Sequence, residues 1–246
     1  MALVLVTGAS TGLGLATATA LARGGHDVVL HARTRSRLDG LDVRGQMRGI
    51  VLGDLSHPQE TADVAEQANT FGRFDAVVHN AGVMDSTDTL AVNVLAPYLL
   101  TASMPLPGRA IFLSSSMHLS GRPDLRPVHT GAEASYSDSK LLVTTLALAL
   151  ARRYTSTLSH AVDPGWVPTR MGGSSAPDDL TEGHRTQTWL AAAPVNEISP
   201  TTGGYWHHRV SRRPHPAAMD SGFQSQLLDA LATRTHLALP AADRLV

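Results

Sequence analysis

Tyr136 and Lys140 stand four positions apart in Tyr136-Ser137-Asp138-Ser139-Lys140, a phenol and an ammonium at the spacing that places two side chains on one helix face. Beside the ammonium the phenolate is favoured, so the pair can give a proton to a reacting oxygen or take one from it. A second chemical feature lies near the start of the chain, where Leu3-Val4-Leu5-Val6 runs into Thr7-Gly8-Ala9-Ser10-Thr11-Gly12-Leu13-Gly14. An apolar strand that empties into a glycine-rich turn, followed by a helix beginning near Leu13, aims backbone N–H groups at a pyrophosphate. One segment offers a place for a dinucleotide and the other offers an acid.

Both segments need a scaffold. Strand-like apolar runs at Leu3 to Val6, Val28 to His31, Gly49 to Leu52, Ala76 to His79, Ala110 to Ser114 and Leu158 to Val162 alternate with helix-compatible stretches. The alternation predicts an α/β fold, a Rossmann-like doubly wound parallel sheet covered on both faces. The first helix is expected over Leu13 to Arg23, stopping at Gly24-Gly25, and further helices fit His57 to Thr70 and Thr89 to Ser103. Ser139 to Tyr154 is a long helical candidate with Tyr136 and Lys140 near its start. Beyond Pro164 the pattern loosens into a loop, helices near Gly183 to Ala193 and Ser221 to Thr233, and a strand at Thr202 to Trp206. No internal repeat or linker calls for a second domain, so residues 1–246 are read as one NAD(P)-binding domain with substrate-side elements at 83–92, 117–135 and 165–215.

Composition limits the alternatives. The formal net charge of −1 provides no global field for nucleic acid. With no cysteine, disulfides, thiolate catalysis and zinc–thiolate sites are excluded, and the twelve histidines show no metal-ligand spacing, so no metal is expected. The opening residues carry no basic leader or long apolar run; neither a signal peptide nor a membrane span is expected, and a cytoplasmic location is.

Taken in order, Thr7-Gly8-x-x-x-Gly12-x-Gly14, Asn80-Ala81-Gly82 and Tyr136-x-x-x-Lys140 resemble the motifs of the classical short-chain dehydrogenase/reductase family over residues 3 to 170. The resemblance implies a catalytic set of Asn93, Ser116, Tyr136 and Lys140. Composition alone does not separate Ser114, Ser115 and Ser116. Ser116 is chosen as the second of a serine pair following the apolar strand, with Ser115 as a neighbour or structural donor. In relatives the asparagine bends a helix and holds a water behind the lysine; the plainer role for Asn93 is to close a buried backbone hydrogen bond.

For the cofactor, the resemblance implies contacts from Gly8, Ser10, Thr11, Gly12, Leu13, Gly14, Asn80, Ala81 and Gly82, from Tyr136 and Lys140, and from Pro164, Gly165, Val167 and Thr169. Asp54-Leu55 follows the third strand and could touch adenine, although Asp54 could equally cap a helix. The second strand ends at Arg33 without the acidic residue that holds an unphosphorylated ribose, which favours NADP(H) over NAD(H). Arg35 and Arg37 either assist Arg33 or form a solvated basic loop.

Two spacings depart from the common pattern. Only residues 83 to 92 separate Gly82 from Asn93, a shortened segment that leaves the oligomeric state open, a homo-oligomer included. Twenty positions separate Ser116 from Tyr136, a spacing similar to the retinol dehydrogenase-like branch. Met84, His118, Trp166 and Tyr205 are the substrate-binding candidates, with polar surface as the plainer role for His118 and core packing for Tyr205. The expected activity is NADP-dependent interconversion of a small or medium alcohol and its ketone or aldehyde. A noncatalytic nucleotide-binding regulator and an epimerase or dehydratase with a tightly held cofactor are the alternatives.

Overall fold

Strands buried on both faces need uninterrupted apolar side chains, and Val4-Leu5-Val6 and Val28-Val29-Leu30 are fully enclosed in the computed structural model of the chain. The structure describes residues 1–41, 45, 47–84 and 86–243; Asp85, within the expected substrate-side segment 83–92, lies outside them. The strands are β1 (Leu3–Val6), β2 (Asp27–Ala32), β3 (Gly49–Leu52), β4 (Ala76–His79), β5 (Arg109–Leu113), β6 (Leu158–Asp163), β7 (Tyr205–His207) and β8 (Val210–Arg212). They form one sheet in the order β3-β2-β1-β4-β5-β6-β7-β8, parallel except for the last pair. The chain reverses its winding between β1 and β4, which opens a crevice beyond the carboxyl ends of these strands.

The helices are α1 (Gly12–Arg23), α2 (Pro58–Asn69), α3 (Ala96–Ser103), α4 (Arg126–Thr130), α5 (Tyr136–Arg153), α6 (Leu180–Ala192), α7 (Pro216–Met219) and α8 (Ser221–Thr235). On one face Leu21 of α1 and Leu190 of α6 pack with Val4, Leu30, Ile111 and Val162. On the other, Val64 of α2 and Leu100 of α3 pack over Leu5 and Val77, while α5 packs over Ala110, Phe112 and Ala161. Helix α5 is buried from Asp138 through Leu150 because the sheet lies on one side and Leu227 and Leu231 of α8 on the other.

The expected strands and long helices are present, with informative differences at their ends. Strand β5 stops at Leu113, one residue before Ser114, and a 3₁₀ turn follows over Ser116–Ser120. Helix α5 starts at Tyr136 instead of Ser139 because the Ser135 hydroxyl accepts the Asp138 N–H as its cap, at 3.1 Å. The short α4, α7 and β8 are elements that apolar periodicity does not announce. Among the described residues no helix is long and apolar enough to cross a membrane, and no group of three or more His, Asp or Glu side chains is placed to hold a metal ion.

Candidate active site

The glycine-rich turn is built by backbone geometry and close approach. Gly8 and Gly12 have φ of +62° and +55°, values that strain any residue with a Cβ. A Cβ on Gly8 would lie 2.8 Å from the Ala81 Cα, and one on Gly14 would collide with the Asn80 amide and the Gly8 carbonyl. Asn80 Nδ2 donates to the Thr7 and Gly8 carbonyls at 2.9 and 3.2 Å. The Thr7 hydroxyl accepts from the Asn80 and Ala81 N–H groups, both at 3.0 Å. Asn80 and Ala81 therefore shape the turn from behind. Ser10 and Thr11 complete it, and Thr11 precedes α1 without a side-chain cap bond or an acidic residue in the first turn, so the helix N-terminus stays available to an anion.

Sequence reasoning missed His31. Its Nδ1 accepts the Gly8 N–H at 2.9 Å and its carbonyl accepts the Ala9 N–H at 2.9 Å, while Nε2–H donates to the Gly53 carbonyl at 2.9 Å. Burial pulls its pKa down, which keeps the neutral tautomer that this pattern requires. The only signal in the sequence is a histidine inside an otherwise apolar strand.

At the far end of β2, Arg33 Nε lies 3.4 Å from Asp54 Oδ2 and the arginine side chain remains half exposed. Asp54 accepts the Ser56 N–H and hydroxyl at 3.0 and 2.9 Å. Burial would raise its carboxyl, but the Ser56 bonds and the Arg33 charge outweigh that and hold it below the usual range. Asp54 thus stabilises the turn ahead of α2, whose N-cap is His57, and Leu55 is a core residue. On the other side of the turn, a Cβ on Gly12 would touch Thr169, and one on Gly183 would touch Leu13, Val167 and the Pro164 carbonyl. The segment 164–169 therefore borders the start of α1, as expected of a common site.

Tyr136 opens α5, and Lys140 lies one turn later with Nζ 5.4 Å from the phenol ring centroid. Of the serines after β5, Ser115 is the one whose side chain acts on the Tyr136 phenol, pulling its pKa down. Ser116, the expected residue, is exposed at the first position of the 3₁₀ turn, and Ser115 precedes it as the cap that accepts the Met117 N–H at 3.2 Å. Because β5 stops at Leu113, the second serine after the strand is Ser115 and not Ser116.

Burial pushes Tyr136 up to about 12, opposed by the Ser115 hydroxyl and reinforced by the Asp163 charge. Burial likewise pulls Lys140 down to about 8, with Asp163 acting against it. The Lys140 ammonium donates to the Leu113 carbonyl at 2.8 Å.

Asn93 sits in a π-helical turn over Ala91–Leu95. Its Oδ1 accepts the Val83 N–H and its Nδ2 donates to the Val83 carbonyl, both at 2.9 Å. Nδ2 also donates to Ser139 Oγ at 2.9 Å. This two-point clamp closes the shortened connection 83–92. A Cβ on Gly82 would lie 3.3 Å from Asn93 Oδ1 and 3.5 Å from Lys140 Nζ, so the glycine leaves a space that both polar groups border.

Of the four substrate-binding candidates, Met84 is partly exposed and Trp166 is 56% exposed. His118 and Tyr205 are buried and satisfied by protein. His118 Nδ1–H donates to the Ser115 carbonyl at 2.7 Å, and its Nε2 accepts the His215 N–H at 3.0 Å. The Tyr205 hydroxyl donates to Asp163 Oδ2 at 3.2 Å. Burial of Tyr205 agrees with its plainer role of core packing, whereas the buried His118 is not polar surface.

The family model described as short chain dehydrogenase matches residues 2–180. The chain belongs to the short-chain dehydrogenase family. This dehydrogenase is 34% identical to the short-chain dehydrogenase chyC of Penicillium rubens over 98% of its own length and 100% of that protein's. Its fold is similar to that of a Mycobacterium paratuberculosis protein of known crystal structure, with a TM-score of 0.79, 22% identity, and coverage of 98% and 95% of the two chains. A Shigella flexneri 2a protein whose crystal structure is complexed with NADP superposes with a TM-score of 0.70 at 24% identity, covering 85% of this chain and 97% of that one.

The residues of the glycine turn fit a dinucleotide. Gly8 and Gly14, packed against Ala81 and Asn80 too closely to admit a Cβ, hold a tight backbone turn beside an uncapped helix N-terminus, which suits a pyrophosphate. The half-exposed Arg33 guanidinium stands at the end of β2.

Proposed function

We propose that this short-chain dehydrogenase interconverts an organic alcohol with its ketone or aldehyde, using NADP(H). The observation that carries the reading is the placement of Tyr136 at the start of α5 with the Lys140 ammonium 5.4 Å from its ring, Ser115 being the hydroxyl that acts on the phenol. When bound, NADP(H) supplies or accepts the hydride. The Gly8–Gly14 turn and the α1 N-terminus would hold its phosphates, Arg33 a 2′-phosphate, and Pro164, Gly165, Val167 and Thr169 would border its nicotinamide half.

The protein's own part is proton handling. With its phenol raised by burial, Tyr136 is neutral at physiological pH and able to donate a proton to a carbonyl oxygen. The Ser115 hydroxyl orients that phenol and offers a second hydrogen bond to the same oxygen. Lys140, held by the Leu113 carbonyl, sets a positive charge near the developing phenolate. Asn93 maintains the Val83 turn and, through Ser139, the first turn of α5.

Exposed Met117 and Leu119 follow β5, and exposed Trp166 and Met171 follow β6, at the carboxyl edge that carries Ser115. An apolar rim at this edge favours an apolar organic substrate over a sugar nucleotide. A screen of carbonyl compounds with NADPH and NADH, with products identified, tests the reading. It expects one reduced cofactor consumed per alcohol formed. Product formation without net cofactor consumption would instead indicate an epimerase or dehydratase, and cofactor binding without turnover across the panel would indicate a regulatory nucleotide-binding protein.

A further inference from the structure

Met117 and Leu119 of the 3₁₀ turn face solvent, and His118 between them is fully buried. Both of its ring nitrogens are taken by main chain. Nδ1 lies 2.7 Å from the Ser115 carbonyl, and Nε2 lies 3.0 Å from the His215 backbone nitrogen. A backbone N–H can only donate, so Nε2 is the acceptor and the ring proton sits on Nδ1, pointed at the Ser115 carbonyl. The His118 backbone N–H donates to that same carbonyl at 3.0 Å. Two donors of one residue therefore hold it, and burial lowers the His118 pKa, which keeps the ring in the neutral form these bonds require.

The turn is pressed onto the start of α5. Ser120 Oγ lies 3.3 Å from Ser137 Oγ, the Arg122 N–H donates to Asp138 Oδ1 at 2.8 Å, and a Cβ on Gly121 would come within 2.6 Å of the Ser137 carbonyl. Ser137 and Asp138 directly follow Tyr136, so the turn that Ser115 caps is braced against the helical turn that carries the phenol. On its other side His118 is fixed by a later part of the chain. His215 stands between Pro214 and Pro216, which have no N–H, so its own N–H is the one backbone donor of that tripeptide. The Tyr205 ring packs against the His118 ring with centroids 4.5 Å apart.

We propose that His118 is a positioning residue of this dehydrogenase: its Nδ1–H fixes the Ser115 carbonyl, and with it the direction of the Ser115 hydroxyl, while the His215 N–H fixes the imidazole. The proposal rests on the reading of Ser115 as the hydroxyl that acts with Tyr136. A serine hydroxyl turns with its own backbone, and a reacting group displaced by an ångström loses much of its rate. His118 itself is closed to solvent and so acts only through Ser115. Residues beyond β8 thereby shape the catalytic edge without lining it.

The contact and its consequence are tested separately. In protein carrying isotope-labelled histidine, nitrogen NMR at neutral pH is expected to show the His118 proton on Nδ1, the signals being assigned by their absence in His118→Gln. A proton on Nε2 would overturn the proposal. Rates are then measured with NADPH and isatin, or with the best compound of the carbonyl screen should isatin not turn over. His118→Asn, whose amide overlays Nδ1 and keeps a donor to Ser115, should retain kcat within about threefold of wild type. His118→Gln, which reaches the Nε2 position alone, and His118→Phe should lower kcat by about ten- to a hundredfold, with KM for NADPH changed by less than about threefold. In a Ser115→Ala background, His118→Phe should cost less than about twofold more, because the hydroxyl it positions is gone. Wild-type kcat in folded His118→Phe or His118→Gln, equal losses in the Asn and Gln variants, or a loss that adds in full to that of Ser115→Ala would overturn the proposal. Wild-type kcat in Ser115→Ala, or no turnover across the screen, would bring it down together with the reading beneath it and leave the tautomer result standing.

Discussion

Ser115 acts on the Tyr136 phenol across twenty-one positions of sequence, bringing the residue that caps the turn after β5 to the first residue of α5. Ser116 stands one residue further on and is exposed to solvent. Ser115→Ala should therefore lower kcat by about 10² to 10³ if the hydroxyl donates to the reacting oxygen. Ser116→Ala should stay within about threefold of wild type, since it removes no bond to the phenol. Steady-state rates of the two variants on one substrate decide between them, and the reverse ranking would return the role to Ser116.

Arg33 bears on cofactor choice. Its guanidinium pairs with Asp54 and remains half exposed, so a 2′-phosphate would add a second anion to a cation already oriented. Arg33→Ala is expected to weaken NADPH binding by about ten- to a hundredfold while changing NADH binding by less than about threefold. Calorimetric titration with both cofactors checks this; equal losses would remove the phosphate contact from the account.

Lys140 makes stability depend on pH. Burial lowers its folded pKa to about 8 from an ordinary 10.5, so below pH 8 the native chain carries the cost of a buried ammonium in full. Between these values the native state holds fewer protons than the unfolded one, and stability gains as pH rises. Relative to Lys140→Met, the wild type should gain about 1–3 kcal/mol between pH 7 and pH 10 in urea unfolding. A difference independent of pH, or one that moves the other way, would contradict the buried charge.

His31 ties the glycine turn to the end of β3. His31→Phe leaves the Gly8 N–H and the Gly53 carbonyl without their partner, at a cost of about 2–4 kcal/mol, and should also weaken NADPH binding. Denaturant unfolding and cofactor titration on the same variant test both effects. Unchanged stability would show that the imidazole is dispensable.

Much of this was legible in the residues because the relevant signals are local. An apolar run followed by closely spaced glycines specifies strand, turn and helix, and the Tyr136–Lys140 spacing specifies one helical face. What sequence reasoning missed depends on where elements end and on what long-range packing encloses. Choosing between Ser115 and Ser116 required knowing that β5 stops at Leu113. The β7–β8 hairpin turns through His208 and Arg209 at φ of 47° and 62°, with none of the glycine or asparagine chemistry that announces such a turn. His118 and Tyr205 each left two roles open because polar or amphipathic side chains near a site can face either way. Only the partners His215 and Asp163, distant in sequence, show that they face inward.

The central claim is that the Tyr136 phenol delivers the proton in an NADPH-dependent reduction. Its most direct test is the rate of NADPH oxidation by Tyr136→Phe on a carbonyl compound that the wild type reduces, alongside the NADPH dissociation constant of each. The account predicts a rate lower by about 10² to 10⁴ with cofactor affinity kept within about threefold. A variant that binds NADPH normally and turns over at the wild-type rate would contradict it.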